Sequence, residues 1–313
     1  NTKLYTGTGS ELAITGVGFQ PDWVWTKSRS NTLNHNVYDS VRGVNKGLKP
    51  NTTDSEFNDA QSLKSFNSDG FTVGTDSHIN TSSATFASWN WKAGTSFTND
   101  ASATGIGSID SAGSVNQDAG FSIISYTGTG SVGTVFHGLG AKPNVMIQKK
   151  LSGSAAWTVY HDKVATNPSH KYLYLNSTAA VDDYADHFND TEPTSSVFTL
   201  GTDSSVNGSG ATNIMYCFTE KKGYSKFSSY IGNGAASDGT FVYTGFKPAF
   251  IILKSTGVND WRIIDNKRSS SGGSNPVDKY LYAQSAAAEG ASSTNGVPDQ
   301  IDFLSNGFKI RQA

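Results

Sequence analysis

Residues 120–162, GFSIISYTGTGSVGTVFHGLGAKPNVMIQKKLSGSAAWTVYHD, hold the pattern from which the chain can be read. An aromatic-led glycine turn, Tyr126-Thr127-Gly128-Thr129-Gly130, is followed by Gly138-Leu139-Gly140-Ala141-Lys142-Pro143. An apolar strand at 145–148 comes next, then a strand with Trp157 and Tyr160 that ends in His161-Asp162. The same order recurs at Tyr5-Thr6-Gly7-Thr8-Gly9, Gly18-Phe19-Gln20-Pro21 and Val37-Tyr38-Asp39. It recurs again at Tyr230-Ile231-Gly232-Asn233-Gly234, Gly245-Phe246-Lys247-Pro248 and Trp261-Arg262-Ile263-Ile264-Asp265. A period near one hundred residues makes this a repeat protein, and each later motif has to be weighed against its sister copies.

The repeats divide 313 residues into 1–94, a Ser/Gly-rich linker at 95–119 with one weak strand at 106–109, then 120–223 and 224–313. Each repeat is long enough for its own core. Alternating aromatic strands such as Trp23/Trp25 and Trp89/Trp91, and hairpin turns such as Asp69-Gly70, predict β structure throughout. The fold class expected is all-β, tandem antiparallel β-sandwich domains of the jelly-roll kind. Repeat three ends at 301–310 without the closing strand found at 84–94 and 211–220. Either the chain is truncated there, or the edge is completed by another segment or chain, because a long open edge invites pairing.

Only 16% of residues are charged, with a net charge of −2, so there is no basic footprint for nucleic acid. No apolar run is long enough for a membrane-spanning helix, so no membrane insertion is expected. The one cysteine, Cys217, lies in an apolar strand and is expected to be a buried, inert thiol. The histidines show no paired spacing or neighbouring cysteines, so no zinc signature is present.

The aspartates ending the second strand, Asp39, Asp162 and Asp265, are read as one recurring position. They are turn caps, or ligands for a sugar hydroxyl or Ca²⁺; no motif supports a bound metal, and no cofactor is expected. Asp182, Asp183 and Asp186 form the densest acidic cluster and read as a solvated loop. Glutamates fall at unmatched points of the repeats, against a glycosidase carboxylate pair. Trp157 and Trp261 match between copies and are expected in the core. Trp89 and Trp91 are either core or an exposed platform on which sugar rings stack.

The words Tyr-Thr-Gly-Thr-Gly, Gly-Phe-x-Pro-Asp-Trp-Val-Trp, Val-Tyr-Asp-Ser-Val-Arg-Gly, Ser-Asp-Gly-Phe-Thr-Val-Gly and Ser-Trp-Asn-Trp-Lys-Ala-Gly occur here in order. They resemble a repeat family of virion surface proteins from tailed bacteriophages of aquatic hosts. The resemblance runs from Tyr5 to Ile310. It implies concanavalin-A-like or laminin-G-like sandwiches and a tail-fibre or adhesin-like role on the virion surface, with assembly in the bacterial cytoplasm. The partners implied are other virion proteins, a host surface glycan and further copies of the chain as a homo-oligomer. It carries no catalytic residue, so a non-enzyme is expected. Capsid decoration, a polysaccharide depolymerase and a bacterial surface adhesin or filament subunit stand as alternatives.

Overall fold

The structure is a computed structural model that describes residues 1–235, 238–270, 272–290 and 301–311. Repeat one contains β1 (Thr2–Thr6), β2 (Leu12–Thr15), β3 (Trp23–Ser28), β4 (Asn36–Asp39), β5 (Lys46–Gly47), β6 (Phe57–Asn58), β7 (Leu63–Asn67) and β8 (Gly70–Val73). The one-turn helix α1 (Ser77–Asn80) and a closing strand, β9 (Thr85–Trp91), complete it. Next come β10 (Thr95–Asn99), α2 (Ala101–Thr104) and β11 (Ser111–Asn116). Repeat two holds β12 (Phe121–Thr127), β13 (Gly133–Phe136), β14 (Val145–Lys150), β15 (Thr158–His161), β16 (Lys171–Tyr174), β17 (Asp182–Asp183), β18 (Val197–Leu200), α3 (Ser204–Asn207) and β19 (Thr212–Phe218). Repeat three holds β20 (Phe241–Tyr243), β21 (Phe250–Leu253), β22 (Arg262–Asp265), β23 (Tyr280–Tyr282), β24 (Ile301–Leu304) and β25 (Gly307–Ile310).

The fold is all-β, and each repeat has a large and a small antiparallel sheet. The large sheets run β1-β9-β3-β4, β10-β11-β12-β19-β14-β15-β16-β17 and β21-β22-β23. The small sheets run β2-β8-β7, β13-β18 and β20-β25-β24. In repeats one and two the closing strand lies inside the large sheet: β9 pairs with β1 and β3, and β19 with β12 and β14.

Residues 95–119 differ from the linker expected of them. Instead of a strand at 106–109 they form β10 and β11, which extend the sheet of repeat two through β12. Small residues there hide the strand signal yet make it possible, since a Cβ on Gly113 would meet Ile123 O at 2.1 Å and the Phe97 ring at 2.9 Å.

Alternation sends the two faces of each large sheet to different cores. Val24, Tyr38, Phe71 and Ile79 fill a satellite core between the sheets of repeat one. Met146, Tyr160, Phe198 and Val206 do the same in repeat two, and Ile264, Phe303 and Phe308 in repeat three. The opposite faces share a single cluster, to which Trp23, Trp25 and Trp89, then Ile147, Trp157 and Tyr216, then Trp261, Ile263 and Leu281 contribute. A buried tryptophan removes on the order of 200 Å² from water, at most about 5 kcal/mol each at 25 cal/mol/Å². The repeats are therefore held to one another by their largest apolar side chains, rather than each standing on a private core.

Hydrogen bonds run in a ring through this shared core. His35, Trp157 and Trp261 occupy one position, two residues before Val37, Val159 and Ile263. Trp157 Nε1 donates to the carbonyl of Lys49 at 3.1 Å, and Trp261 Nε1 to that of Tyr174 at 2.9 Å. His35 Nδ1 accepts from Trp25 Nε1 at 2.9 Å, so Nε2 carries the ring proton and donates to the carbonyl of Tyr282 at 3.0 Å. Repeat two thus bonds to repeat one, three to two and one to three.

The glycine turns close the sandwiches locally. Tyr5 and Tyr126 donate their hydroxyls to the carbonyls of Ile79 in α1 and Val206 in α3. Asn80 and Asn207, at the ends of those helical turns, each accept from the turn backbone, at Thr8 N and Thr129 N. Gly7 and Gly128 have to be glycine, because a Cβ would lie 2.2 Å from Thr81 O and 2.4 Å from Gly208 O.

Burial, and next the Lys27 ammonium, push the His35 pKa down to about 3. The unfolded chain binds that proton near pH 6.5, so stability falls as the pH drops from there towards 3, by about 3 kcal/mol at pH 4 from this residue. His137, lowered to about 4 by burial, acts in the same direction. Urea unfolding between pH 7 and 4 should show the loss, and His35→Gln should make the slope shallower; an unchanged slope in that variant would refute the assignment.

Candidate functional site

Strand register decides which residues are equivalent. Trp23 pairs with Asp39, Val145 with His161 and Phe250 with Asp265. Asp39, His161 and Asp265 therefore share a position, and Asp162 lies one residue beyond it. This corrects the expected triad of Asp39, Asp162 and Asp265: a one-residue slip moves a side chain to the opposite face.

Asp39 and Asp265 are fully buried. Asp39 accepts from Arg42 N at 2.9 Å and Nε at 2.6 Å, and from Tyr216 OH at 2.7 Å. Asp265 accepts from Arg268 N at 3.1 Å and Nε at 2.6 Å, and from Trp89 Nε1 at 3.0 Å. Arg42 also meets Glu56, and Arg268 meets Glu289, which in turn pairs with Arg29. These carboxylates are filled by donors and cut off from solvent, so they serve neither a sugar nor Ca²⁺. They fasten repeat two to one and repeat one to three. Repeat two replaces both members of the ion pair, with His161 and Val164, and so leaves no buried charge without a partner.

Trp89 is likewise no exposed platform. It is 1% accessible, and its indole is spent on Asp265. Trp91 is half-buried against Trp23 at 4.7 Å, Phe250 at 5.6 Å and Phe218 at 6.4 Å between ring centroids. Alternating tryptophans on β9 mark the face of a central strand turned to the shared core.

Asp162 does reach a surface feature, a polar cleft of about 340 Å³ lined by Lys142, Asp162, Thr166, Asn167, Pro168, Ser169, His170 and Glu192. Its Oδ2 accepts from Asn144 Nδ2 at 2.8 Å and Lys163 Nζ at 2.9 Å, while the buried Oδ1 has no hydrogen-bond partner. Glu192 accepts from Lys142 Nζ, from Tyr160 OH at 2.7 Å and from Ser169 N at 2.9 Å. Burial acts to raise its pKa, but the bonds from Lys142 and Tyr160 outweigh it and hold the carboxyl below its usual range. The cleft thus offers an ionised acceptor and several polar neighbours on a fixed frame. Among the described residues no three His, Cys, Asp or Glu side chains converge as metal ligands would. Asp183, from the acidic cluster, pairs with Lys171. Cys217 is buried, and burial raises its thiol pKa.

Sequence reasoning missed His35 and a recurring lysine. Lys27, Lys149 and Lys254 each turn an ammonium onto backbone carbonyls: Ser28 and Asn31, Thr53 and Ala155, and Ser255 and Gly257. Burial lowers all three pKa values, Lys27 and Lys149 to about 8. A lysine two residues after Trp25, Ile147 and Ile252 was the available signal.

The whole chain, residues 1–313, matches a family described as a domain of unknown function (DUF7483), and the protein belongs to that family. No curated protein and no solved structure matches it.

Arg42→Val should destabilise by about 3–5 kcal/mol, because it strands the buried Asp39 carboxylate. Copying repeat two by adding Asp39→His should recover a large part of the loss. Guanidinium unfolding measures both, and equal losses in the single and double variants would contradict this account.

Proposed function

We propose that the chain is a non-enzymatic virion-surface protein of a tailed bacteriophage, in which three sandwich repeats form a rigid frame whose loops contact host surface glycans. The observation that carries the reading is the Lys142–Glu192 cleft, a concave polar surface built by loops in which repeat two differs from its sisters. Sugar hydroxyls need fixed donors and acceptors, and Lys142, Asn167, Ser169, His170 and Glu192 supply both kinds. A frame poor in charge and rich in Ser, Thr, Asn and Gly fits a surface that meets uncharged hydroxyls. Many copies on one particle, as in a homo-oligomeric fibre alongside other virion proteins, would convert weak single sites into useful avidity.

Glu192 is not built as a glycosidase general acid, which supports the non-enzymatic reading. A glycosidase acid needs a carboxyl that stays protonated, with its pKa raised, whereas Lys142 and Tyr160 hold Glu192 in the ionised form. The resemblance of the repeated words to phage virion proteins supports the location and supplies no ligand.

Glycan-array binding should weaken by about tenfold on Glu192→Gln or Asn167→Ala, the expected loss of one charge-assisted or neutral bond at a wet surface. Trp89→Phe should change stability and leave the glycan profile unaltered. Array binding untouched by both cleft variants would sink the assignment, and release of reducing ends from host polysaccharide would overturn the non-enzymatic reading.

A further inference from the structure

Residues 95–119 stand between repeats one and two, whereas repeat two passes into repeat three without any such segment. The two strands of this insertion carry the large sheet of repeat two outward beyond β12. β10 ends that sheet, and among the described residues it pairs with β11 alone. A sheet edge is a row of unpaired backbone donors and acceptors, which folds blunt with charge, proline, bulges or shortness. Other edges of this protein are blunted in these ways. β17, at the far end of the same sheet, consists of two exposed aspartates. β7 carries Lys64 at a bulge between Leu63 and Ser65. β4 is met by Leu48, which exchanges both backbone bonds with Val37 at 2.8 and 3.0 Å. β10 has no such guard. Its residues Thr95–Asn99 include no charge and no proline, and they match β11 one to one without a bulge.

Three features describe what this edge fits. An uncharged strand can lie against its own copy with no like charges opposed. Antiparallel pairing about a two-fold axis at Phe97 sets Ser96 opposite Thr98, and Thr95 opposite Asn99, of the second copy. The second feature is the charge at the two ends of the strand. Lys92 precedes β10 and Asp100 follows it, and both are exposed. The bonds that Asp100 accepts within the chain, from Ser102 and Ala103, all fall on Oδ1. Antiparallel order brings Lys92 of each copy to the end that holds Asp100 of the other, whereas parallel order would set like charge beside like. The third feature is Phe97. Its ring packs edge-on against Phe136 at 5.4 Å and beside Gly113, yet it stays half-buried in the single chain. A two-fold axis at this residue sets the two Phe97 rings beside each other on one face of the sheet, a favourable cross-strand pair.

We propose that β10 is a self-association edge, on which a second copy of this chain pairs antiparallel, β10 to β10, about a two-fold axis at Phe97. The pairing joins two eight-stranded sheets into one continuous sheet. Backbone bonds between the two edges supply the attraction, the logic of strand addition. The end charges and the Phe97 pair set the direction and the register. Such an interface is isologous, so it closes on a dimer and leaves neither β10 edge open. The insertion is then a dimerisation element placed between two repeats. The inference gives the homo-oligomer a surface and a symmetry, stands on the fold and is independent of the glycan cleft.

Sedimentation equilibrium of the full chain should show a monomer–dimer equilibrium, and hydrogen exchange at Thr95–Asn99 should slow as the concentration rises. Ser96→Lys combined with Thr98→Lys sets like charges opposite each other twice and should weaken the dimer by about tenfold. Ser96→Glu combined with Thr98→Glu should weaken it by a similar factor. Both side chains are exposed, so neither variant should shift the melting temperature of the dilute monomer. An equimolar mixture of the two variants should recover the dimer, because opposite charges face each other when residue 96 of one copy lies against residue 98 of the other. A chain that stays monomeric up to about 1 mM, the weak end of measurable association, would overturn the proposal. So would a dimer whose Thr95–Asn99 amides exchange as fast as in the monomer, or one that tolerates both variants. A mixture that associates no better than its separate components would overturn it as well.

Discussion

The structure depends on a hydrogen-bonded ring inside an apolar core that belongs to no single repeat. Trp157, Trp261 and His35 each hand one ring proton to a carbonyl of another repeat, and each is buried among the side chains that drive the repeats together. An indole or imidazole N–H left without an acceptor there would be penalised by a few kcal/mol, so the ring fixes how the repeats meet. Apolar burial supplies most of the driving force, and the polar bonds supply its registration.

Departures from threefold equivalence are informative because the frame is so regular. Repeat two exchanges an Asp–Arg pair for His161 and Val164 together, the combination that avoids a buried unpaired charge. Repeat three keeps the Asp–Arg pair of repeat one, with Asp265 and Arg268 at the positions of Asp39 and Arg42. The polar cleft of repeat two is lined mostly by residues of its loops. A rigid interior with variable loops is the usual division of labour between scaffold and recognition surface.

The repeat count, the all-β class, the antiparallel hairpins and the core role of Trp157 and Trp261 were legible in the sequence, because alternation and turn chemistry are local signals. The candidate site was far less legible. Asp162 was aligned with Asp39 and Asp265 by its letter, and only the pairing of Val145 with His161 moved it by one residue. Trp89 and Trp91 alternate as a stacking platform would, and nothing in that pattern says which side of β9 meets water. The segment at 95–119 lacked apolar periodicity because its strands pair through small residues packed beneath Phe97.

What the sequence by itself determined was the unit: strands with an inward and an outward face, glycine turns where a backbone presses close, and a fixed order repeated along the chain. What only the tertiary structure decided was the use of those faces. The side opposite each satellite core could have met solvent, yet it joins the other two repeats in one interior, as the burial of Trp25, Trp157 and Trp261 demonstrates. The reason is physical: alternation specifies that a face is apolar, but its partner is another surface 87 to 247 residues away in sequence, and that choice is made by packing and by the closing of hydrogen bonds around a ring.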